Sequence, residues 1–449
     1  MLQNWRNVLI LALPSFMSFF AQTAIGTVNL ILVGHLGALN IAIVGVVNII
    51  MYNGFAIFSG VSHTVNYLVA QDYGAKDIKT AIKRTYLALY LSLFIAVFLF
   101  AVGYFFSGTI LGWTGGSTAL VHEGEYYLQI RFYALALGMV SFMFHGFLRG
   151  VGDTRTSMIL SIISNVMILF FAYALTYGQF GFPELGLNGS AYAILIGEFT
   201  GFILALYVFF IHFNKKFHTL VKVAIKLREL KLIVIESFKL GMQEFSMSFA
   251  MFIFTVFVAR LGTEALAANE VALNVMSFGF MPAFAFGTTA TILVGQEIGR
   301  QQPLKARRAG TDVMVLGSIF LLVLGTFELI FAKDIAMLYN STDPYVYETA
   351  ALLIQISAYL QLFDGFLNFY AGALRGMGET SFLLRMSLIT NWCVFVPLAY
   401  VLIFVCGLGS IGAWISLYTY LAVIGLAFMY RFYKSDWSSI RAKDMESHN

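Results

Sequence analysis

Residues 148–165 read LRGVGDTRTSMILSIISN, and residues 374–391 read LRGMGETSFLLRMSLITN. Leu148, Arg149, Gly150, Gly152, Thr154 and Asn165 recur as Leu374, Arg375, Gly376, Gly378, Thr380 and Asn391, and Asp153 is answered by Glu379. The offset is 226 throughout, about half of the 449 residues. Each copy is a short polar phrase between long apolar runs. A phrase written twice in that setting marks a duplicated unit with a turn at the same place in each copy.

The echo runs further. VAQDYG at 69–74 pairs with VGQEIG at 294–299, offset 225, and a basic segment follows each. LVGHLG at 32–37 pairs loosely with FVARLG at 257–262, and GLNGSA at 186–191 with GSIGAW at 409–414. The duplication predicts an N-terminal lobe over 1–212, a linker over 213–230, a C-terminal lobe over 231–433 and a tail over 434–449.

The composition fixes the solvent. The chain is 59% hydrophobic and 11% charged, with mean hydropathy +0.82. An average soluble domain is about 25% charged, and one core could not hide this much apolar surface. Apolar runs long enough to cross a bilayer as helices fall near 8–33, 41–69, 83–112, 126–148, 156–178 and 188–212. Six more fall near 231–260, 266–296, 308–332, 346–374, 381–405 and 410–432. The first reads as a span rather than a signal peptide, since no cleavage signature follows it. An all-α membrane protein is therefore expected, with twelve transmembrane helices in two homologous six-helix bundles. Of the 27 Lys and Arg, only Arg131, Arg260 and Lys333 fall outside the loops and ends on one side. That side, with both termini, is expected to be cytoplasmic. Six spans per half make the repeat parallel, an arrangement of transporters that rock around a central cavity.

Arg149 and Arg375 are placed at helix C-termini, where a cation suits the macrodipole. Gly150 and Gly376 suit a helix stop. Asp153 or Thr154, and Glu379 or Thr380, suit the next helix's N-cap. A cytoplasmic gate is the alternative, in which Arg149 or Arg375 pairs with Asp72 or Glu297.

Carboxylates inside a membrane span are costly and mark candidate sites. Asp364, Glu244 and Glu270 are the candidates for binding a coupling cation, with Glu198 a possible secondary acid. Glu328, near the end of its span, is placed to reach the interface. Offset pairing sets Gly138 against Asp364, Phe19 against Glu244 and Gly45 against Glu270, so the acids concentrate in the second half. A Na+ site needs hard oxygen ligands and a proton site a carboxyl. Gln22, Thr23, Asn29 and Asn53 are candidates to line a polar N-lobe cavity, or else to bond helix to helix. Arg131 either snorkels or neutralises an acid. His63 and His145 read as packed histidines, and Cys393 as packing filler.

AQTAIGTVNLILVGHLG (21–37), LRGVGDT, LRGMGET, GFPELGLNGSA (181–191) and QLFDGFLNFYAGALRG (361–376) together resemble the multidrug and toxin extrusion (MATE) family. That family belongs to the multidrug/oligosaccharidyl-lipid/polysaccharide exporter superfamily. The resemblance implies a V-shaped exporter of the cytoplasmic (inner) membrane that exchanges amphipathic, mainly cationic small molecules for Na+ or H+. Asp364 matches the family's acid of the tenth span. The family's first-span Asp is Asn29 here, which cannot titrate, and its usual seventh-span Glu falls near Met251, with Glu244 instead nearer the cytoplasm. These departures lean the expectation toward Na+.

No Walker, zincin, nucleophile-elbow or Cys/His metal pattern is found. The protein is not expected to be an enzyme, to carry a cofactor or structural metal, to bind nucleic acid, or to need an ATPase partner. It is expected to act in the bilayer as a monomer. The alternative reading is a lipid-linked precursor flippase or an exporter of a narrow-range metabolite. The scarcity of cationic residues inside the spans argues against the flippase.

Overall fold

The computed structural model describes residues 2–339 and 341–443. Twelve helices in it are long and apolar enough to cross a membrane, and no strand occurs among the described residues. They are α1 (Leu2–Gly34), α2 (Ala38–Gly74), α3 (Ile78–Trp113), α4 (Thr118–Gly150), α5 (Thr154–Tyr177) and α6 (Leu187–Phe217). The second six are α7 (Leu227–Ala259), α8 (Thr263–Gly299), α9 (Pro303–Tyr339), α10 (Pro344–Met377), α11 (Thr380–Val405) and α12 (Gly409–Lys434). Ten of the twelve apolar runs read from the sequence lie wholly within one of them, and the runs 156–178 and 231–260 overrun α5 and α7 by one residue each. The longest have 37 residues, about 55 Å at 1.5 Å per residue, more than a hydrocarbon core requires. The expected tail begins at the last residue of α12, and its residues 444–449 lie outside the described chain.

The chain divides into two compact units. One, called the N-terminal unit, comprises Met17–Val69 and Asp77–Met242. The other, the C-terminal unit, comprises Met1–Phe16, Ala70–Lys76 and Gln243–Asn449. In the first, α4 packs on α3 and α6, and α5 packs on α6. In the second, α10 packs on α8, α9 and α12. The repeat-related helices α4 and α10 are thus the inner helix of each unit. Outer faces are apolar: Phe94, Val97 and Phe105 of α3 are exposed, as are Val323, Phe327 and Ile330 of α9. Lipid accepts such side chains where water would not.

The two halves keep the same helix crossings. A Cβ on Gly150 would lie 2.7 Å from Val69 Cβ and 2.9 Å from the Asn66 carbonyl of α2. A Cβ on Gly376 would lie 3.1 Å from Val294 Cβ and 2.8 Å from the Thr291 carbonyl of α8. Val69 and Val294, and Asn66 and Thr291, are repeat partners at offset 225. Small residues let membrane helices approach this closely. α4 ends at Gly150 and α10 at Met377, so the helices stop at or one residue past the expected glycines. Gly150 and Gly376 serve close approach, and the left-handed turn falls on Gly152 (φ 87°) and Gly378 (φ 85°). A side chain at 150 or 376 is excluded by the neighbouring backbone; one at 152 or 378 is disfavoured by its own.

The caps diverge. Asp153 Oδ1 accepts from the Thr156 amide at 3.0 Å and caps α5. Glu379 makes no cap bond to α11 and instead accepts from Arg431 Nη2 of α12 at 3.0 Å. The longer side chain reaches a guanidinium that Asp153 has no counterpart for.

The linker expected over 213–230 is helical at both ends, leaving 218–226 non-helical. Thr219 ties it down, donating to the Phe209 carbonyl (2.7 Å) and accepting at its own carbonyl from Tyr86 Oη (2.7 Å). Cys393 is exposed, so it faces outward from α11 rather than filling the core.

Candidate functional site

Ser357, Gln361, Asp364 and Asn368 follow one another at spacings of four, three and four residues. That spacing sets them on a single face of α10, and the face turns into the C-terminal unit. Asp364 is 1% exposed. Asn368 Nδ2, one turn along, donates to its Oδ1 at 3.1 Å and to its carbonyl at 2.9 Å. No Lys, Arg or His pairs with Asp364 among the described residues. Gln361 Nε2 is committed to the carbonyls of Ala358 (2.9 Å) and Leu321 (3.4 Å).

Glu244 of α7 enters the same unit and accepts from Arg375 Nη2 at 3.4 Å. Two residues on, Ser246 Oγ accepts from Asn391 Nδ2 (2.8 Å) and Trp392 Nε1 (3.1 Å). Both donors sit in a widened π turn of α11, Thr390–Phe395. Pro397, which has no N–H to give the carbonyl one turn back, lies just beyond it. Such a bulge re-aims side chains inside a helix. Asp364 and Glu244 both act electrostatically on the buried hydroxyl of Tyr420 from α12. Asp364 with Asn368, and Glu244 with Arg375, are thus two polar pairs of the C-terminal unit, and the Tyr420 hydroxyl lies within electrostatic reach of both carboxyls.

Glu270 is exposed on α8 and is not brought to Asp364; its neighbour Asn269 accepts from Trp414 Nε1 at 2.8 Å. Glu328 is 2% exposed, contrary to the expectation of an interfacial side chain. Its helix face, shared with Leu321 and Gly325, turns onto α10 rather than outward. In the N-terminal unit, Glu198 of α6 leans on α4: a Cβ at Gly138 would lie 2.7 Å from its Oε2. Arg131 donates to Asn48 Oδ1 (3.0 Å) and Tyr127 Oη (3.1 Å), and its charge acts on Glu198.

Arg149 is buried and lies over the rings of Phe19 (5.0 Å) and Phe142 (5.3 Å), with no ion pair among the described residues. Glu297 pairs with Arg300 within its own helix end. Asp72 is buried near the end of α2. Next to it, Gln71 donates to the Gly376 carbonyl (2.8 Å) and accepts from the Lys443 amide (3.2 Å). Asn29 is buried and accepts from Ser190 Oγ at 3.0 Å. Gln22 is exposed, Thr23 is half-buried, and Asn53 donates to the Ile49 carbonyl at 3.0 Å. The histidines are packed, His145 sharing a 2.6 Å hydrogen bond with Ser157 Oγ and His63 edge-on to Phe142.

Sequence reasoning missed Gln361, Asn368, Tyr418 and Tyr420. The first two carry a signal, since each lies one turn from Asp364. The tyrosines carry none, being two among the 23 of the chain.

The MatE family model matches residues 14–174 and 240–401. A probable multidrug resistance protein NorM of Thermotoga maritima is 27% identical over 417 residues, covering 92% of this chain and 88% of that one. A multidrug resistance protein NorM of Burkholderia vietnamiensis is 29% identical over 441 residues, covering 96% and 94%. Solved structures share the fold. One, described as the outward-facing conformation of a multidrug resistance MATE family transporter of the MOP superfamily, aligns with TM-score 0.87 at 20% identity over 96% of each chain. A MOP superfamily transporter from Pyrococcus furiosus, described as having a binding pocket of reversed polarity, aligns with TM-score 0.85 at 20% identity over 96% and 97%. The two segments matched by the family model fall one in each half of the duplication, and the chain belongs to the MatE family of multi-pass membrane transporters.

Proposed function

We propose that the protein is a secondary active multidrug efflux antiporter of the cytoplasmic membrane. It exports amphipathic, mainly cationic small molecules by alternating access, in exchange for Na+ or H+. Asp364 and Glu244 are the coupling carboxyls, with the exposed Glu270 a third candidate. The observation that carries this reading is the enclosure of Asp364. A carboxyl sealed in a membrane protein with one amide donor and no cationic partner is costly unless a cation or proton joins it. Glu244, with Arg375 against it, has its charge answered already.

Coupling needs the ion to bind one conformation better than the other, because an ion of equal affinity for both biases nothing. An ion entering at Asp364 would change the charge that faces the Tyr420 hydroxyl and so favour one packing of α10 and α12. The names of the relatives support drug-like substrates. The asymmetry of Lys and Arg supports cytoplasmic termini. The N-terminal unit has Asn29 in the first span, bonded to Ser190; an amide that cannot titrate there supports coupling in the C-terminal unit and Na+ as the ion. The protein works as a monomer, driven by the ion gradient alone.

The test is dye export from proteoliposomes loaded with a fluorescent lipophilic cation, under an inward Na+ or inward H+ gradient at clamped potential. Export driven by one gradient and lost in Asp364→Asn is the expected outcome. Export independent of both gradients, or unchanged in Asp364→Asn, would sink the proposal.

A further inference from the structure

Arg131, Leu135, Gly138, Phe142, His145 and Arg149 follow one another at spacings of four, three, four, three and four residues, and so share one face of α4. At offset 226 this face is the counterpart of the α10 face that carries Gln361, Asp364, Asn368 and Arg375. Its polarity is reversed. An acid and amides precede the arginine on α10, whereas an imidazole and a second guanidinium precede it on α4. Arg131 is answered by Asn48 and Tyr127 and feels Glu198. Arg149 has no such answer. It is 4% exposed, it lies over the rings of Phe19 and Phe142, and its N–H groups meet no acceptor among the described residues. No Asp or Glu among them acts on it. His145, one turn earlier, is buried and feels the Arg149 charge. Ser157 Oγ engages its Nδ1 at 2.6 Å, which leaves Nε2 as a further donor when the hydroxyl donates to Nδ1.

An arginine at a helix end can reach water by snorkelling. Arg149 instead turns back along its own helix, since Phe142 lies about two turns N-terminal to it. Ring faces stabilise a cation but do not satisfy the N–H groups at its edge, and a buried charge with its hydrogen bonds unmade is costly. The second half shows what this step holds when it is complete. Arg375 Nη2 meets Glu244 Oε1 at 3.4 Å, and Glu244 stands at the offset-225 position of Phe19. In the N-terminal unit a ring therefore takes the place of the carboxylate. The donors have increased there as well: His145 and Ser157 correspond to Ala371 and Leu383.

We propose that Arg149 and His145 bind the carboxylate of an aromatic amphiphile, as an anion subsite of the N-terminal unit. The guanidinium takes the carboxylate through its fork of N–H groups, and His145 Nε2 donates a further bond. The half-buried rings of Phe19 and Phe142 wall the apolar body of the ligand. A carboxylate is assigned rather than a phosphate because one guanidinium offsets a single charge and because the second half holds a carboxylate at the same step. The ligands of the protein then extend from cations to molecules that bear an acid, a class beyond the antiport reading and independent of the coupling ion.

The experiment is titration calorimetry of naphthoate, and of the uncharged naphthamide, on the purified full-length protein, without transport. The unaltered chain is expected to bind naphthoate at least about tenfold more tightly than naphthamide, through charge-assisted bonds that the amide cannot make. Arg149→Gln should remove that preference, and Arg149→Lys, which keeps the charge without the fork, should keep part of it. Phe19→Glu brings the carboxylate of the second half into the first. It should fill the subsite from within and abolish naphthoate binding while naphthamide still binds. Equal affinities for the two probes in the unaltered chain overturn the proposal, as does a naphthoate isotherm that Arg149→Gln leaves in place. If Arg149→Gln does not fold, as judged by its melting curve, an unmoved naphthoate isotherm in Phe19→Glu overturns it equally. Decanoate carries the same head on a flexible chain and should bind more weakly than naphthoate. Tighter binding of decanoate would assign the subsite to a lipid carboxylate and overturn the aromatic class. Arg149-dependent naphthoate binding in a protein that shows no gradient-driven export would remove the antiport reading and leave this site standing.

Discussion

Arg149 and Arg375 occupy the same step of the same phrase, and their surroundings have parted. Arg149 lies over two phenyl rings, those of Phe19 and Phe142. At offset 225 Phe19 becomes Glu244, which accepts from Arg375. At offset 226 Phe142 becomes Asn368, and Gly138 becomes Asp364, which Asn368 contacts. The ring of Phe19 against Arg149 is answered by the carboxylate of Glu244 against Arg375, and Phe142 and Gly138 of α4 are answered by the polar pair Asn368 and Asp364 of α10. The backbone has not followed: Gly150 on Asn66 and Val69 is the same crossing as Gly376 on Thr291 and Val294. Close-packed crossings are intolerant because a methyl group has nowhere to go. Side chains at the same level can change polarity so long as each finds a partner. A guanidinium accepts either, since its face suits a ring and its N–H groups suit a carboxylate.

An acid is present at this level in the N-terminal unit as well, but it comes from a different helix. Glu198 of α6 rests against Gly138 of α4, the step where α10 carries its own carboxyl. Arg131 sits near enough to act on Glu198, whereas Asp364 has no cation.

The largest effect expected from this contrast is functional. Asp364→Asn should cut gradient-driven export in proteoliposomes by at least about tenfold, a coupling of roughly 1.4 kcal/mol or more. Glu198→Gln should cost less than about twofold. Equal losses would mean that the units share the coupling and the contrast is only decorative. Next come Gly150→Val and Gly376→Val, each overpacking a crossing by about 1–3 kcal/mol. Melting curves of the two should fall together, and a harmless substitution at one would break the claim of a common backbone. Glu244→Gln leaves Arg375 buried against a neutral amide and should cost about 1–3 kcal/mol. Phe19→Leu should cost about 1 kcal/mol through the lost ring contact with Arg149. A larger loss in Phe19→Leu would reverse the ranking. The smallest difference lies at the caps. Asp153→Ala should cost about 1 kcal/mol as a lost N-cap. Glu379→Ala, which removes a half-exposed ion pair with Arg431, should cost about 0–1 kcal/mol.

Much of this was legible in the sequence. Asp153 as a cap, Arg149 and Arg375 near helix ends, and the pairing of Phe19 with Glu244 all follow from residues at a fixed offset. Asp364 could be singled out because it breaks a long apolar run. Glu328 breaks one too, but its distance from the helix end points to the interface and says nothing about the face it occupies. Glu270 reads as well as Asp364 in the sequence and lies on an exposed face. Gly150 and Gly152 are not told apart in the sequence, because two glycines so close give no sign of which one turns the chain and which one a neighbour presses on.

By itself the sequence determined the lipid solvent, the twelve helices, the duplication and the position of each turn. These depend on run length, composition and local backbone chemistry, which act along the chain. The tertiary structure decided which acids are enclosed, which arginine has a carboxylate and which has rings, and where donors are left without acceptors. In a soluble helix the apolar stripe points to the core. Here the face toward lipid is as apolar as the face toward protein, so periodicity does not name the inward side, and only the packing of α9, α10 and α12 turned Glu328 and Asp364 inward.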